Sequence, residues 1–248
     1  MCGRYVSTST PEDLVQLFDV NRWDPSETLE PDWNVAPTKP VWAVLERPVR
    51  HQGPEAVRQL RALRWGLVPS WAKDPSIGSR QINARAETVH EKPAYRKAFA
   101  SRRCLLPADG FYEWQTLPAP PGGKARKQPY FIAPEGEGQL MAMAGLYEFW
   151  RDSTRADDDP LAWWTTCTII TTDATDAAGR IHPRMPLTIA PDAIDEWLDP
   201  EHKDPGRLRS LLTPPGAGHL LVRPVSTAVN SATSNGPQLI EEVEAPTP

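Results

Sequence analysis

The sequence contains few cysteines and no long run of apolar residues. Its 248 residues include only three cysteines, Cys2, Cys104 and Cys167. These are too few and too widely spaced for a disulfide framework or a four-ligand zinc site. No apolar stretch approaches the ~18 residues that a membrane-spanning helix needs, and the N-terminus lacks the apolar core of a secretory signal. We therefore expect a cytoplasmic protein that requires no metal ion, no cofactor and no membrane.

Proline, by contrast, is abundant. The 28 prolines divide the chain into short segments, which argues against a helical bundle and favours a strand-rich core with many turns. One helix is predicted after Thr10, which can cap it, with Pro11 in the first turn. Weaker helical patterns cover 92–100, 191–198 and 205–212. Apolar or β-branched segments predict strands at 41–46, 59–68, 102–106, 111–116, 129–133, 140–150, 167–172 and 220–226.

The strands and helices do not alternate regularly, so the predicted fold class is α+β. We expect a single domain over residues 1–240, with an antiparallel barrel-like β core and a few peripheral helices. A disordered acidic tail is predicted for 241–248. The Pro/Gly-rich segment 117–127 should connect two strands of a hairpin, and 156–160 should form an acidic loop.

Charge is distributed unevenly along the chain. The net charge is −5, yet residues 45–130 carry 16 Lys or Arg and only 7 Asp or Glu. A polyanion such as DNA could therefore bind a basic face, with an affinity that falls as salt rises. The alternative is that the surface charge is uneven but binds no polyanion.

Cys2 carries the clearest chemical signal. Removal of Met1 would leave an α-amino group and a thiol on the same residue, both partly in their nucleophilic forms near neutral pH. Such a 1,2-aminothiol captures an aldehyde by forming an imine, which the thiol then closes to a five-membered thiazolidine. A cysteine at position 2 can equally be a chance feature of an ordinary terminus.

Several motifs, taken together and in order, resemble the SOS-response-associated peptidase family of abasic-site-processing proteins. They read MCGRY, NVAPT, RWGLVPSWAKD, INARAET, PADGFYEW, HPRMP and RPVSTAVNSATSNGPQLIE, and they extend from residue 2 to about residue 241. The resemblance implies a protein that senses abasic sites in single-stranded DNA. It would crosslink its N-terminal cysteine to the ring-opened sugar aldehyde and so protect the lesion. A weak abasic-site lyase activity is an expected by-product, because the imine permits β-elimination.

The resemblance also implies roles for individual residues. Cys2 would form the crosslink, and Asn83 would orient the adduct through its amide. Glu113 would take the ammonium proton. His182 would deliver a proton as the sugar ring opens, because imidazole titrates near neutrality.

Four further residues would contact DNA. Arg4 and Arg85 correspond to phosphate-binding arginines, and Pro37 and Trp71 correspond to an apolar wedge between bases. Ala72 follows Trp71 where some relatives have a second tryptophan, which puts the second stacking contact in question. The sequence shows no coiled-coil pattern, so a monomer is expected.

Two other functions remain open. The chain could be a cysteine peptidase in which Cys2 is the nucleophile and His182 the base, or a non-catalytic binder of single-stranded DNA. At the level of single residues, Asn83 could cap a turn, Glu113 could form a strand-end ion pair and His182 could be an exposed turn residue. The pattern around Glu113 recurs around Glu148, which we interpret as structural.

Overall fold

The computed structural model describes residues 2–49, 53–118, 125–136, 138–213 and 220–244. The strands within these ranges are β1 (Tyr5–Ser7), β2 (Arg22–Trp23), β3 (Asp32–Val35), β4 (Pro40–Pro48), β5 (Ala56–Trp65), β6 (Asn83–Arg85), β7 (Arg103–Ala108), β8 (Gly110–Leu117), β9 (Arg126–Pro134), β10 (Met141–Arg151), β11 (Trp163–Asp173), β12 (Arg184–Pro186) and β13 (Leu220–Pro224). The α-helices are α1 (Pro11–Leu17), α2 (Arg96–Ser101), α3 (Asp176–Gly179), α4 (Ile194–Leu198) and α5 (Pro205–Ser210). None of the helices in these ranges has the length and apolar character needed to cross a membrane.

Five of the longer strands close into a barrel. β5, β4, β7, β10 and β11 lie side by side, each antiparallel to the next. β11 then pairs in parallel with β5, with Thr166 opposite Arg64 and Cys167 opposite Trp65. A closed ring with an odd number of strands cannot alternate direction at every step, so one parallel pair is required. The predicted α+β class and barrel-like core are confirmed; the parallel closure was not predicted.

The barrel strands are buried on both faces, which explains why their sequences are almost continuously apolar. In β4, Val41 and Ala43 belong to the cluster that fills the barrel, whereas Trp42 and Val44 belong to the cluster beneath the helices. The helices contribute Leu14 of α1 and other apolar residues to that outer cluster. Burial on both faces is thus a consequence of helices covering a closed sheet.

A second sheet packs against this barrel and carries the N-terminus. Its strand order is β13-β9-β8-β1-β3. Tyr5 of β1, Phe111 of β8 and Ile132 of β9 join the cluster inside the barrel, and Cys2 belongs to the same cluster. The sheet therefore places Cys2 at its junction with the barrel interior.

All eight predicted strands are present, although the bounds of several elements differ from those predicted. The segment predicted as 59–68 ends at Trp65, because Gly66 has a φ of +127° and its backbone lies against Gly78, whose carbonyl oxygen would be 2.7 Å from an added Cβ. The helix predicted over 92–100 begins only at Arg96, since residues 88–95 form turns around Pro93. Thr10 caps α1 as predicted: its hydroxyl accepts the Asp13 N–H at 3.2 Å.

The predicted loops and tail coincide only in part with described residues. β8 and β9 form the expected antiparallel hairpin, but residues 119–124 of its tip lie outside the described residues. The acidic loop connects β10 to β11. The tail was predicted to be disordered from residue 241. Instead, Glu242 bridges Val225 and the Val243 N–H donates to the Pro224 carbonyl at 3.0 Å. Residues 245–248 lie outside the described residues.

Arg103 is a buried cation at the start of β7 that fastens two helices to the barrel. Its guanidinium donates to the carbonyl oxygens of Phe99 at 2.9 Å, Ala100 at 2.8 Å, Trp197 at 2.7 Å, His202 at 3.1 Å and, in a further contact, Asp199. Burial lowers the pKa of Arg103 to about 10, so the side chain stays charged at neutral pH. The carbonyl oxygens at the ends of α2 and α4 are thereby satisfied.

We predict that Arg103→Met lowers the free energy of unfolding by about 3 kcal/mol, because several buried carbonyl oxygens lose their donor. Denaturant unfolding would measure the change. Arg96→Met at an exposed position of α2 is the matched control and should alter stability by less than about 0.5 kcal/mol. Equal stabilities for the two variants would contradict the role given to Arg103.

Candidate active site and adjoining cleft

Cys2 lies in a fully buried position just before β1, with an exposed fraction of 0%. Its Sγ atom is 3.8 Å from the Arg4 carbonyl oxygen. Burial raises the pKa of the thiol, and the nearby carboxylate of Glu113 raises it further. The thiol is therefore protonated at neutral pH, and its use as a nucleophile requires a neighbouring base.

Asn83 connects Cys2 to the barrel. It begins the short strand β6, which pairs in parallel with β11 and places Asn83 opposite Ile169. The Asn83 Nδ2 donates to the Cys2 carbonyl oxygen at 2.8 Å. Its Oδ1 is buried and accepts no hydrogen bond from any described residue. The Tyr95 hydroxyl donates to the Asn83 carbonyl oxygen at 3.2 Å and so helps to hold β6 in place.

Glu113 and His182 complete this group. Glu113 lies on β8 with an exposed fraction of 3%; burial raises the pKa of its carboxyl, while nearby positive charge, that of His182 included, lowers it. The His182 Nδ1 is 3.8 Å from the Glu113 Oε1. Cys2, Asn83, Glu113 and His182 are thus close together, although they come from four separate parts of the sequence.

A cleft of about 610 Å³ opens beside Asn83. Trp71, Arg80, Arg85, Lys92 and Tyr95 line it, and no described acidic residue does. The Trp71 side chain is 57% exposed. The cleft therefore combines three cations with an accessible aromatic ring, next to the amide that contacts Cys2. Arg80 and Lys92 were not predicted; both lie in the basic segment, but only the fold brings them to this cleft.

Arg4 and Pro37 do not line this cleft. Arg4 donates to the Asn34 Oδ1 and the Val229 carbonyl oxygen, each at 2.9 Å. It thereby holds the C-terminal segment against β3, and its contact with phosphate stays a prediction. Pro37 occupies a tight turn whose next residue, Thr38, has a φ of +73°. The Thr38 N–H donates to the Trp65 carbonyl at 2.8 Å, which fixes this turn to the end of β5.

Arg184 was not predicted, although it belongs to the same HPRMP motif as His182. Its guanidinium forms two hydrogen bonds with the Glu87 carboxylate, at 2.6 and 3.1 Å. It also bonds Asp173 at 2.6 Å and the Thr171 carbonyl at 2.6 Å. The side chain thus spans β11 from β12 to the residues that follow β6.

Glu148 has the structural role that we expected. Its carboxylate pairs with Arg102 at 2.7 Å and is almost fully buried. Within the described ranges, no three His, Cys, Asp or Glu side chains are grouped as a metal site would require.

The chain is similar to one known protein family over nearly its whole length. The model of the family described as SOS response associated peptidase (SRAP) matches residues 1–232. The abasic site processing protein YoqW of Bacillus subtilis is 40% identical over 241 residues, covering 97% of this chain and 99% of that protein. HMCES of Xenopus tropicalis, named an abasic site processing protein, is 29% identical over 98% of this chain and 78% of its own length.

Solved structures agree with the fold. A protein from Bacteroides thetaiotaomicron superposes with a TM-score of 0.80 at 22% identity, covering 98% of this chain and 100% of that one. A phage-related protein from Bordetella bronchiseptica gives a TM-score of 0.65 at 28% identity, covering 90% of this chain and 94% of its own. The motifs, the fold and the family match together establish that this chain belongs to the SOS response associated peptidase (SRAP) family of abasic-site-processing proteins.

Proposed function

We propose that this protein captures abasic sites in single-stranded DNA by a covalent bond between Cys2 and the ring-opened sugar. The observation that carries the proposal is the hydrogen bond of 2.8 Å from the Asn83 amide to the Cys2 carbonyl. It joins Cys2, which becomes the terminal aminothiol when Met1 is removed, to the wall of a basic cleft. Relatives named as abasic site processing proteins support the same substrate.

The chemistry needs only the groups at this site and the substrate. After Met1 is removed, the Cys2 nitrogen adds to the aldehyde carbon, and loss of one water gives an imine. The Cys2 sulfur then adds to the imine carbon, and the thiol proton moves to nitrogen. The product is a thiazolidine, and no oxidant or reductant is consumed. The imine also permits β-elimination of the 3′ phosphate, so slow strand cleavage should accompany crosslinking.

Glu113 is suited to the proton transfers of this sequence. Its carboxylate influences the Cys2 thiol, and a carboxyl whose pKa is raised by burial is a stronger base than an exposed one. It can take a proton from the terminal ammonium and return it when the carbinolamine loses water. His182, at 3.8 Å from Glu113, can exchange that proton with the sugar hydroxyl.

Asn83 offers a place for the adduct. Its Nδ2 is bonded to Cys2, while its buried Oδ1 has no donor among the described residues. A buried acceptor without a donor is costly. An N–H or O–H of the bound sugar or of the adduct would satisfy it.

The lining of the cleft suits an extended, unpaired strand of DNA as the ligand. Arg80, Arg85 and Lys92 can neutralise phosphates, and the exposed ring of Trp71 can stack on an unpaired base. Stacking platforms combined with cations are typical of proteins that bind single strands.

We predict that Met-processed protein forms a crosslink with a single-stranded oligonucleotide carrying one abasic site, and that Cys2→Ala abolishes it. A band that survives heating in denaturant measures the adduct. Cys104→Ala, which removes a buried thiol from β7, is the matched control and should crosslink normally. A Cys2→Ala variant that crosslinks as well as the parent would refute the proposal.

An extra residue placed before Cys2 distinguishes this function from the peptidase alternative. Aldehyde capture needs a free amine on the same residue as the thiol, so the extended variant should form no thiazolidine. A cysteine peptidase needs only the thiol and would stay active on peptide substrates without DNA. A non-catalytic binder would retain DNA only under native conditions, and Cys2→Ala would leave its binding unchanged.

We predict that Glu113→Gln slows crosslinking by on the order of 10²-fold or more, because a general base is lost. Folding raises the pKa of this carboxyl, so ionisation favours the unfolded chain. The stabilising contribution of the protonated group is complete below the unfolded-state value of about 4.3 and is lost as the pH rises through the folded-state pKa. Glu113→Gln should therefore be at least as stable as the parent at pH 7, with the difference vanishing near pH 4. Denaturant unfolding at both pH values, alongside single-turnover crosslinking, would reveal a variant that is instead inactive because it is destabilised.

We predict that Arg85→Ala weakens binding to a lesion-free single strand and reduces the slope of log K against log salt by about 0.7, the contribution of one phosphate contact. Fluorescence anisotropy over a salt series measures both. Lys97→Ala, an exposed cation of α2 that does not line the cleft, should leave the slope unchanged. An unaltered slope for Arg85→Ala would remove Arg85 from the interface.

A further inference from the structure

The main chain of Arg184 lies against the imidazole of His182. The Arg184 N–H is 3.0 Å from the His182 Nδ1, and the Arg184 carbonyl oxygen is 3.1 Å from the same atom. An unprotonated Nδ1 can accept from the N–H, whereas a protonated Nδ1 can donate to the carbonyl. Residue 184 therefore offers the imidazole a partner in either protonation state, which suits a group that gains and loses a proton.

This arrangement works only if the main chain of Arg184 is fixed relative to Glu113 and Cys2. β12 consists of three residues and pairs with β11 alone among the described strands. Its register places Arg184 opposite Asp173 at the very end of β11. A strand this short has few ladder hydrogen bonds to hold its first residue.

The Arg184 side chain supplies that restraint. It crosses β11 and forms two parallel hydrogen bonds with the Glu87 carboxylate, at 2.6 and 3.1 Å. Glu87 follows directly on the segment that carries Asn83 and Arg85, and the Ala86 N–H donates to the Thr171 carbonyl at 2.9 Å. The Arg184 guanidinium bonds that same carbonyl at 2.6 Å. A two-bond arginine–carboxylate pair fixes direction as well as distance.

We propose that Glu87 is a positioning residue for the reaction at Cys2. Through Arg184 it fixes the main chain that holds His182, and it ties the His182 segment to the Asn83 segment on the opposite edge of β11. The inference rests on the proposed function, because it assigns Glu87 to the same reaction. Glu87 itself does not line the cleft.

Single-turnover crosslinking over a range of oligonucleotide concentrations tests the inference. Glu87→Gln keeps the size of the side chain but weakens the paired bonds to Arg184. We expect the maximal rate to fall about 10-fold, as displacement of a reacting group would cause. The oligonucleotide concentration that gives half of the maximal rate should not increase. In a His182→Ala background, Glu87→Gln should have no further effect, because the two residues act through the same imidazole.

Glu196→Gln is the matched control. Glu196 forms the same kind of pair with Arg207, with both bonds at 2.6 Å, between α4 and α5. Its loss should leave the crosslinking rate unchanged. Arg184→Lys, which keeps the charge but removes the planar fork, should reproduce the effect of Glu87→Gln and serves as the second variant if Glu87→Gln folds poorly.

The outcomes are distinct. A parent protein that forms no crosslink refutes the proposed function and the inference with it. A parent that crosslinks while Glu87→Gln and Arg184→Lys do so at the same maximal rate overturns the inference alone. The inference is also overturned if Glu87→Gln slows crosslinking as much in the His182→Ala background as in the parent, since Glu87 would then act independently of the imidazole.

Discussion

The parallel pairing of β5 with β11 is the constraint on which the rest of the structure depends. It closes the five-stranded barrel and sets Trp65 beside Cys167. β11 extends beyond this closure, and its second half pairs with β6 on one edge and with β12 on the other. Asn83 and His182, on or beside those two short strands, are therefore brought to the same end of the barrel. The second sheet covers that end and brings Cys2 and Glu113 to them.

The site places reactive groups where water cannot stabilise their charges. Burial raises the pKa of the Cys2 thiol and of the Glu113 carboxyl, so each holds its proton more tightly than in solvent. The raised pKa of the Glu113 carboxyl works against folding at neutral pH, where the unfolded chain would ionise it, yet it makes the carboxylate a better base. Arg184 and Glu87, which are more accessible, restrain the segments around this group without adding an unpaired charge. The chain thus separates the groups suited to the chemistry from those that position them.

The sequence predicted long elements better than short ones, for a physical reason. β4, β10 and β11 contain enough consecutive apolar and β-branched residues to be predicted as strands from the local sequence alone. β6 and β12 have three residues each, too few to show a period, and they exist because β11 offers them free edges. The end of β5 was likewise misjudged, because Leu67 and Val68 are as apolar as a strand but follow Gly66, whose positive φ turns the chain away.

For the site, the sequence by itself determined which residues are chemically capable: a cysteine at position 2 and motifs that carry an amide, a carboxylate and an imidazole. It also determined the excess of cations in the middle of the chain. Only the tertiary structure decided which of these meet. Arg80 and Lys92 reach the cleft beside Asn83, whereas Arg4 turns inward to Asn34 and the C-terminal segment. Contacts of this kind join residues that are far apart in the chain. Local sequence preferences do not specify which distant residues meet, because that depends on how the barrel closes.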